Sequence, residues 1–175
     1  TKLHQEFERT LITEEIGSLP HRELLVDIGC ATGRETLEHA HGFRRAVGYD
    51  VSPEMIAVAQ KKVAQLPRVH LSFQVHDVEQ GLPLPDHSAS FLYMNLGTAS
   101  DVRNIPYVLE ESARVLKKGG QFLFSFYNAE ALVYRSFLPW PPNLMAEFSH
   151  DRHCMDVRYV TEVKRVTRVE RMDDT

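Results

Sequence analysis

The sequence predicts an α/β domain with a doubly wound, mostly parallel sheet and helices on both faces. Five short apolar segments alternate with segments of helical pattern, which is typical of parallel strands joined by crossover helices. The first of them, residues 23–29 ("ELLVDIG"), is almost continuously apolar, as a strand covered on both faces must be. A glycine turn follows it directly and leads into the next helix, so strand and helix are expected to form one βα unit.

The first elements can be placed by face and capping signals. Residues 3–16 are predicted to form a helix whose apolar face includes Phe7 and Leu11. After the strand at 23–29, Thr32 and Glu35 match a T-x-x-E capping box. A second helix is therefore predicted to begin there and to stop at a glycine about two turns later.

The next βα unit and the third strand have equally clear signals. Residues 44–50 ("RRAVGYD") predict a strand, and Ser52 as cap with Pro53 at the first helical position starts a third helix. Pro67 is expected to close that helix. In residues 69–75 ("VHLSFQV") apolar and polar side chains alternate, which is typical of a strand at the sheet edge.

The last two strands of the predicted sheet flank one helix. Residues 90–95 ("SFLYMN") form the fourth strand and residues 105–117 the helix after it. The two lysines at 117–118 would lie at the negative end of this helix, and the glycines at 119–120 would form the exit turn. Residues 121–126 ("QFLFSF") then make the fifth strand.

Residues 1–128 are expected to be the ligand-binding core, and 129–175 a C-terminal extension of the same domain. The extension is expected to serve the acceptor site or to complete the sheet, with a short helix over 129–137 and extended strand over 155–170. Because the chain opens on Thr and stops at "DDT", we expect that sequence is missing and that the C-terminal part is incomplete.

The composition is that of an ordinary globular protein, with 43% hydrophobic and 25% charged residues. No apolar run reaches the length of a membrane span and no signal-peptide pattern opens the chain, so no membrane partner is expected. A net charge of −4 and a pI near 6.1 give no reason to expect a nucleic-acid partner. Cys30 and Cys154 are too few for a disulfide framework, which indicates reduced thiols and a cytoplasmic protein.

One short segment resembles a metal site. Residues 150–154 ("HDRHC") hold three potential ligands. A structural zinc site needs four, and no second cluster is evident in the sequence. No metal site is therefore predicted, and the oligomeric state is left open.

The turn at residues 29–33 ("GCATG") is the first indication of a ligand site. A strand, a glycine turn and a helix aim free backbone N–H groups and a positive dipole end at one point. Gly29 permits the tight turn and Gly33 a close approach of helix to strand. Ala31 stands where a dinucleotide fingerprint has its middle glycine, which lets a pyrophosphate approach the backbone. A glycine turn is also common between any strand and helix.

Two acidic residues strengthen the indication. Asp50 ends strand two, 21 residues after Gly29, the separation at which a carboxylate meets an adenosine ribose. A carboxylate can accept hydrogen bonds from both hydroxyls of a vicinal diol. Asp77 follows strand three and could accept from an adenine amino group while Val78 packs on the ring. Each aspartate could instead serve a turn or a helix cap.

Four segments resemble the successive motifs of class I S-adenosylmethionine-dependent methyltransferases, in that family's order: "LLVDIGCATG", "AVGYDVSPEMI", "HDVEQGLPLPDHS" and "ARVLKKGGQFLFSF". The resemblance covers roughly residues 22–127. It implies a Rossmann-like fold, S-adenosyl-L-methionine as cofactor and S-adenosyl-L-homocysteine as product. It further implies transfer of the sulfonium methyl group to the oxygen, nitrogen or carbon of a small-molecule acceptor by in-line displacement.

The resemblance also implies roles for individual positions. The turn residues would contact the methionine part of the cofactor: Asp27, Gly29, Cys30, Ala31 and Gly33. The residues after strand two would hold the ribose and flank the adenine: Asp50, Val51 and Met55. Those after strand three would read the adenine: Asp77 and Val78. Those after strand four would line the methionine and methyl end: Asn95 and Leu96. Ala31 departs from the family's usual middle glycine.

The acceptor is expected beyond the carboxyl ends of the strands, where open α/β sheets bind ligands. Asp101 is the candidate general base, and its alternative is a cap on the helix at 105–117. Tyr127 would orient the acceptor or offer its ring to the sulfonium, and its alternative is simple burial at a strand end.

Three classes of protein therefore remain open. The first is a methyltransferase, the second an NAD(P)-dependent oxidoreductase, and the third a catalytically inactive module that binds S-adenosylmethionine. The Gly-x-x-x-Gly spacing and the Asp77 segment disfavour the second class. The complete set of cofactor positions disfavours the third.

Overall fold

The computed structural model describes residues 2–65, 70–95, 97–126, 144–149, 154–159 and 166–170. The chain divides into two compact units, Thr1–Ser125 and Phe126–Thr175. Within the described ranges, no helix combines the length and the apolar character that crossing a bilayer requires.

The first unit is built on a five-stranded parallel sheet in the order β3-β2-β1-β4-β5. Its strands are β1 Leu24–Ile28, β2 Arg45–Asp50, β3 Leu71–Val75, β4 Ala89–Met94 and β5 Leu116–Phe124. All four neighbouring pairs are parallel, and β3 lies at an edge as its alternating pattern predicts. The chain winds outward from β1 to β3 and then returns to β4, so the strand order reverses between β1 and β4. Ligands of open α/β sheets bind at such a switch point.

Helices cover both faces of this sheet, as predicted. They are α1 Lys2–Ser18, α2 Arg34–Ala40, α3 Pro53–Val63 and α4 Ile105–Val115. Side chains of α1, α2 and α3 share one buried cluster, which contains Ile12, Ala40 and Ile56. The opposite cluster receives Val108 and Val115 from α4. Each large apolar side chain that is fully buried stabilises the fold by about 1.5–3 kcal/mol.

Central strands β1 and β4 are buried along their whole length. Successive residues of β1 alternate between the two clusters, with Val26 in one and Leu25 in the other. This two-sided burial explains why the sequence of β1 is almost continuously apolar. Asp27 is the exception in the strand, and it lines a cavity at the carboxyl edge of the sheet.

The predicted capping box at α2 does not form. The helix begins at Arg34, its N-cap is Gly33 in the left-handed conformation (φ 72°), and no side chain caps it. Thr32 therefore lies one position before the cap, and Glu35 lies in the first turn. At α3 the predicted cap is confirmed, because the Ser52 hydroxyl accepts a hydrogen bond from the Met55 N–H at 3.3 Å.

The boundary between α4 and β5 also differs from the prediction. Helix α4 ends at Val115, and β5 begins at Leu116, which pairs with Ala89. The next pair is Phe91 with Gln121, so residues 117–120 form an irregularity within the strand. The lysines therefore do not end a helix, and the glycines make a bulge where an exit turn was expected.

The second unit contains an antiparallel sheet in the order β6-β7-β8. Its strands are β6 Leu144–Ser149, β7 Cys154–Tyr159 and β8 Val166–Glu170. The described parts of the predicted extended segment at 155–170 are thus two strands that run in opposite directions, and residues 160–165 lie outside the described residues. Strand β6 was not predicted. The helix predicted over 129–137 lies outside the described residues.

Candidate functional site

The turn after β1 is fixed to β2 by backbone hydrogen bonds. The N–H groups of Gly29 and Cys30 donate to the Tyr49 carbonyl at 2.8 and 3.0 Å. Gly29 adopts a left-handed conformation (φ 75°), and a Cβ atom there would overlap the Thr98 side chain. At Gly33 a Cβ atom would overlap the Phe73 ring. Both glycines are therefore required by backbone geometry and by packing.

Ala31 occupies the middle of the turn with φ 46°, in the left-handed region. A residue with a Cβ atom pays roughly 1–2 kcal/mol there. A hydrogen bond accompanies this strained conformation: the Ala31 N–H donates to Asp50 Oδ2 at 2.8 Å. The turn and the end of β2 are joined through this bond.

Asp50 is held from two sides at the carboxyl edge of the sheet. Its Oδ2 accepts from Ala31 and its Oδ1 accepts from the Ser52 N–H at 2.9 Å. A carboxylate has about four acceptor positions, so each oxygen can accept a further hydrogen bond. Beside it, Val51 is 63% exposed and Met55 38% exposed. A fixed carboxylate next to exposed apolar side chains suits the ribose and base of a nucleoside.

Asp77 has the turn role that the sequence left open. Its Oδ1 accepts from the Glu79 N–H at 2.9 Å and caps the short 3₁₀ helix Val78–Gln80. Val78 is buried in the core cluster that includes Leu82. Contacts of these two residues with an adenine stay a prediction.

A cavity of about 200 Å³ opens at the carboxyl ends of β1 and β4. Its walls include five of the residues predicted from the sequence: Asp27, Gly29, Cys30, Ala31 and Asn95. Four further lining residues were not predicted: Thr32, Arg34, Glu35 and Tyr93. Tyr93 could have been predicted from the sequence, because it lies near the end of a strand buried on both faces and a buried tyrosine hydroxyl requires a hydrogen-bond partner.

Asp27 is the buried acid of this cavity, with only 3% of its surface exposed. Its Oδ2 accepts from the Thr36 hydroxyl at 2.5 Å and from the Tyr93 hydroxyl at 2.8 Å. Burial raises the pKa of Asp27 to about 7, against the opposing effect of the two hydroxyl donors. Burial also raises the pKa of Tyr93 well above its usual value. A cation placed beside Asp27 would favour its ionised form.

Glu35 is the second acid of the cavity. Its Oε1 accepts from Arg34 Nε at 3.0 Å, while its buried Oε2 has no hydrogen-bond partner within the described part of the chain. His39 Nε2 lies 3.9 Å from this oxygen, but burial lowers the pKa of the imidazole. Asp27 and Glu35 thus place two carboxyl groups in the walls of the cavity, a lining that favours a cationic group over an anionic one.

A second cavity of about 190 Å³ adjoins the first and shares Tyr93 and Asn95 with it. The other walls come from α1 and the ends of β4 and β5: Phe7, Glu8, Leu11, Met94, Leu123, Phe124 and Ser125. This lining is mostly apolar.

The remaining predicted site residues are less central. Asp101 is exposed at the end of the 3₁₀ helix Thr98–Asp101 and lines neither cavity. It does not cap α4, because Asn104 does so by accepting from the Tyr107 N–H at 3.2 Å. Leu96 and Tyr127 lie outside the described residues, as do residues 150–153 of the segment with possible metal ligands.

The parallel sheet, the glycine turn and the carboxylate-lined cavity at the switch point define a Rossmann-like α/β protein. Residues 26–124 match a family model described as a methyltransferase domain. The match covers more than half of the chain, which therefore belongs to this methyltransferase family.

Similar proteins support this assignment. A demethylmenaquinone methyltransferase of Bacillus licheniformis is 29% identical over 150 residues, which is 77% of this chain and 62% of that protein. The ubiquinone/menaquinone biosynthesis C-methyltransferase UbiE of Rubrivivax gelatinosus is 36% identical over 113 residues, 65% of this chain and 43% of that protein. This chain therefore spans about two to three fifths of the length of these relatives.

The solved structures include the YcgJ protein from Bacillus subtilis. It superposes with a TM-score of 0.63 at 26% identity, over 74% of this chain and 54% of that one. The Rossmann-like methyltransferase fold expected from the sequence is thereby confirmed.

Proposed function

We propose that the protein binds S-adenosyl-L-methionine and transfers its methyl group to a small-molecule acceptor. The observation that carries this proposal is an Asp50 carboxylate fixed to the middle of the turn, together with the Asp27 and Glu35 carboxyl groups in the wall of the cavity that the turn also lines. That arrangement matches a ligand with a vicinal diol at one end and an ammonium group at the other.

Individual residues would then hold the cofactor as follows. Asp50 accepts from the ribose hydroxyls, and Val51 and Met55 flank the adenine, with Asp77 and Val78 on its far side. The ammonium lies between Asp27 and Glu35. The backbone of Gly29, Cys30, Ala31 and Gly33 cradles the methionine chain, and Asn95 and Leu96 line the methyl end.

S-adenosyl-L-methionine supplies a methyl group on a sulfonium; the new bond forms as the S–C bond breaks, its electron pair stays on sulfur, and the acceptor loses a proton. Because the donor is already activated, the protein's own task is positioning and the exclusion of water, which can supply about 7–11 kcal/mol. Tyr93 and Asn95 border both cavities, so the proposed donor and acceptor sites adjoin at these two residues. Asp101 and Tyr127 are the proposed general base and acceptor-orienting group.

For the acceptor we propose an aromatic molecule of the quinol type, methylated on carbon. Two observations support this choice. The lining of the second cavity is mostly apolar and includes Phe7 and Phe124, and the two relatives are named as quinone-pathway methyltransferases. An oxygen or nitrogen acceptor is the alternative.

Thermal unfolding with added nucleotides tests the cofactor half of the proposal. A ligand at a hundred times its dissociation constant stabilises the fold by about 2.7 kcal/mol. We expect this stabilisation with S-adenosylhomocysteine and not with NAD, and we expect Asp50→Ala to lose it. Stabilisation by NAD alone would instead indicate an oxidoreductase.

Methyl transfer needs its own assay, with a radiolabelled methyl donor. The acceptors are reduced naphthoquinones that lack the ring methyl group. Labelled product confirms the proposed reaction. Binding of S-adenosylhomocysteine without transfer to carbon, oxygen or nitrogen acceptors would support the inactive cofactor-binding module.

A further inference from the structure

We infer that the first unit has a further ligand site, which takes a small carboxylate on an apolar body. The site is a cleft of about 390 Å³ on the face of β2 and β3 that α3 does not cover, and it shares no lining residue with the two cavities described above. Its walls include four polar residues of the strands and two apolar residues of a loop: Arg45, Tyr49, Ser72, Gln74, Pro83 and Leu84. The inference does not depend on the proposed function, because other residues carry it.

The connection between β3 and β4 explains why this face of the sheet is open. The other consecutive strands of the sheet are joined through an α-helix, whereas this connection contains only the 3₁₀ helix Val78–Gln80. Helix α4 lies on the same side of the sheet and packs against β5 and that 3₁₀ helix. The face of β3 beside Pro83 and Leu84 is therefore left uncovered and forms one side of the cleft.

Strands β2 and β3 form the floor of the cleft. Val47 pairs with Ser72, and Tyr49 pairs with Gln74. Because alternate residues of a strand face the same side, these four side chains and that of Arg45 share one face of the sheet. Val47 and Tyr49 are buried, whereas Ser72 and Gln74 are exposed. The alternation that identifies β3 as an edge strand thus also places a hydroxyl and an amide beside an apolar floor.

Tyr49 is the strongest indication of a ligand. Only 2% of its surface is exposed, and its ring packs against that of His76 with the centroids 5.4 Å apart. A buried tyrosine hydroxyl usually has a hydrogen-bond partner, yet this one has none within the described part of the chain. The hydroxyl oxygen is not enclosed by protein, unlike the Glu8 carboxylate oxygens, and Tyr49 lines the cleft. A polar group in the cleft can therefore bond to it.

The charges around the cleft favour an anion. Arg45 is exposed and has no ion-pair partner among the described residues, and the described lining contains no Asp or Glu. Two acids that are close to the lining in sequence are paired with other arginines, Glu23 with Arg44 at 3.6 Å and Asp86 with Arg114 at 2.7 Å. A guanidinium matches a carboxylate, whose two oxygens accept its parallel N–H donors.

The rest of the lining defines the body of the ligand. Leu24, Val47, Pro83 and Leu84 are apolar, and the volume of the cleft lies in the range of small-molecule sites, roughly 300–1,000 Å³. The cleft therefore suits a ring-sized apolar group with a carboxylate for Arg45 and a hydrogen-bonding substituent at its other end for the Tyr49 hydroxyl.

Three benzene derivatives test the inference by direct binding: 4-carbamoylbenzoate, benzoate, which lacks the amide, and benzamide, which lacks the carboxylate. Each is titrated into ¹⁵N-labelled protein, and the backbone N–H shifts give both the dissociation constant and the location. We expect 4-carbamoylbenzoate to shift residues 45–49 and 71–75. It should bind about tenfold more tightly than benzamide and about fivefold more tightly than benzoate, because a hydrogen bond to a charged group is stronger than one between neutral groups.

Variants assign the two ends of the probe. Arg45→Gln should abolish the preference for 4-carbamoylbenzoate over benzamide, and Tyr49→Phe should reduce its preference over benzoate to less than about twofold. Arg44→Gln is the matched control, because Arg44 is the neighbouring exposed arginine and does not line the cleft. It should keep the wild-type order of affinities.

Three results would overturn the inference: no binding of 4-carbamoylbenzoate, shifts centred on the glycine turn, or an equal loss of affinity in Arg44→Gln and Arg45→Gln. If Tyr49→Phe does not fold, the two arginine variants still decide the question. The titrations contain no S-adenosylhomocysteine, so a failure of the cofactor proposal would leave their outcome unchanged, and a failure here would leave the cofactor proposal standing.

Discussion

Asp27 combines a structural and a ligand-binding position. It is buried in β1 and accepts from Thr36 and Tyr93 through a single oxygen. That leaves its other oxygen to the cavity, in which Asp27 is a lining residue. Its pKa of about 7 means that the carboxyl exchanges its proton near neutral pH. Ligand charge, fold stability and pH are therefore linked at one residue.

We predict that Asp27 makes the fold less stable as the pH rises from about 4 to 7. The pKa is raised from 3.8 to about 7 in the folded state, so the folded protein binds more protons than the unfolded chain in that window. This stabilising contribution is complete below pH 4, is lost progressively as the pH rises to about 7, and amounts to on the order of 4 kcal/mol. Urea unfolding of wild type and Asp27→Asn at pH 5, 6.5 and 8 measures it.

In Asp27→Asn the amide oxygen can still accept from Thr36 and Tyr93, so the fold should persist. The variant should therefore become more stable relative to the wild type as the pH rises, because only the wild type loses the contribution of Asp27. Parallel curves for the two proteins would contradict the raised pKa.

The site residues differ in how far the sequence could predict them. Asp27, the turn and Asp50 are local to strand ends, where pattern and spacing are informative. Glu35 and Tyr93 gain their roles from tertiary contacts. For α1 the sequence placed Phe7 on the packed face, but Phe7 is 62% exposed and Ile12 and Ile16 are buried. Several faces of that helix carry apolar residues, so local periodicity could not select between them.

Helices α2 and α3 are capped at their N-termini in different ways. Ser52 caps α3 with its hydroxyl, while α2 begins at a left-handed glycine without a side-chain cap. We predict that Ser52→Ala costs about 1 kcal/mol of unfolding free energy. The matched change Thr32→Ala should cost less than about 0.5 kcal/mol, as for other surface substitutions. Denaturant midpoints measure both, and a larger loss for Thr32→Ala would show that the predicted capping box does form.

Strand β2 lacks a side chain where Phe73 of β3 and Cys30 of the turn approach it. A Cβ atom at Gly48 would lie 2.5 Å from a Phe73 ring carbon and 2.8 Å from Cys30 Sγ. Gly48→Ala should therefore destabilise the protein by about 1–3 kcal/mol through overpacking. Combined with Phe73→Leu, it should cost less than the sum of the single changes. Strict additivity in a double-mutant cycle would contradict the packing account.

The sequence predicted the sheet better than the transitions between elements. Strands β1 to β4 have apolar patterns that burial imposes, and each is confirmed. Residues 117–120 were assigned to a helix end and a turn, because two lysines and two glycines favour both. In the structure they form a bulge between two registers of the β4–β5 pairing. Register depends on the partner strand, which no local pattern contains.

The division of the chain leads to the last prediction. Residues 1–125 contain the whole parallel sheet, helices α1 to α4, both core clusters and both cavities. Every contact argued above for the cofactor residues lies within them. We therefore expect a protein of residues 1–125 to fold on its own, unfold cooperatively and gain the same stabilisation from S-adenosylhomocysteine as the 175-residue chain, within about 0.5 kcal/mol.

Near-UV circular dichroism and thermal unfolding with and without S-adenosylhomocysteine check this expectation on the two proteins side by side. A 1–125 protein without fixed tertiary packing would show that residues 126–175 are part of the folding unit. A folded 1–125 protein that S-adenosylhomocysteine does not stabilise, beside a full chain that it does, would place a cofactor contact in residues 126–175. If S-adenosylhomocysteine stabilises the two proteins equally, the nucleoside site lies in the first unit. A role for residues 126–175 is then to be sought in acceptor binding.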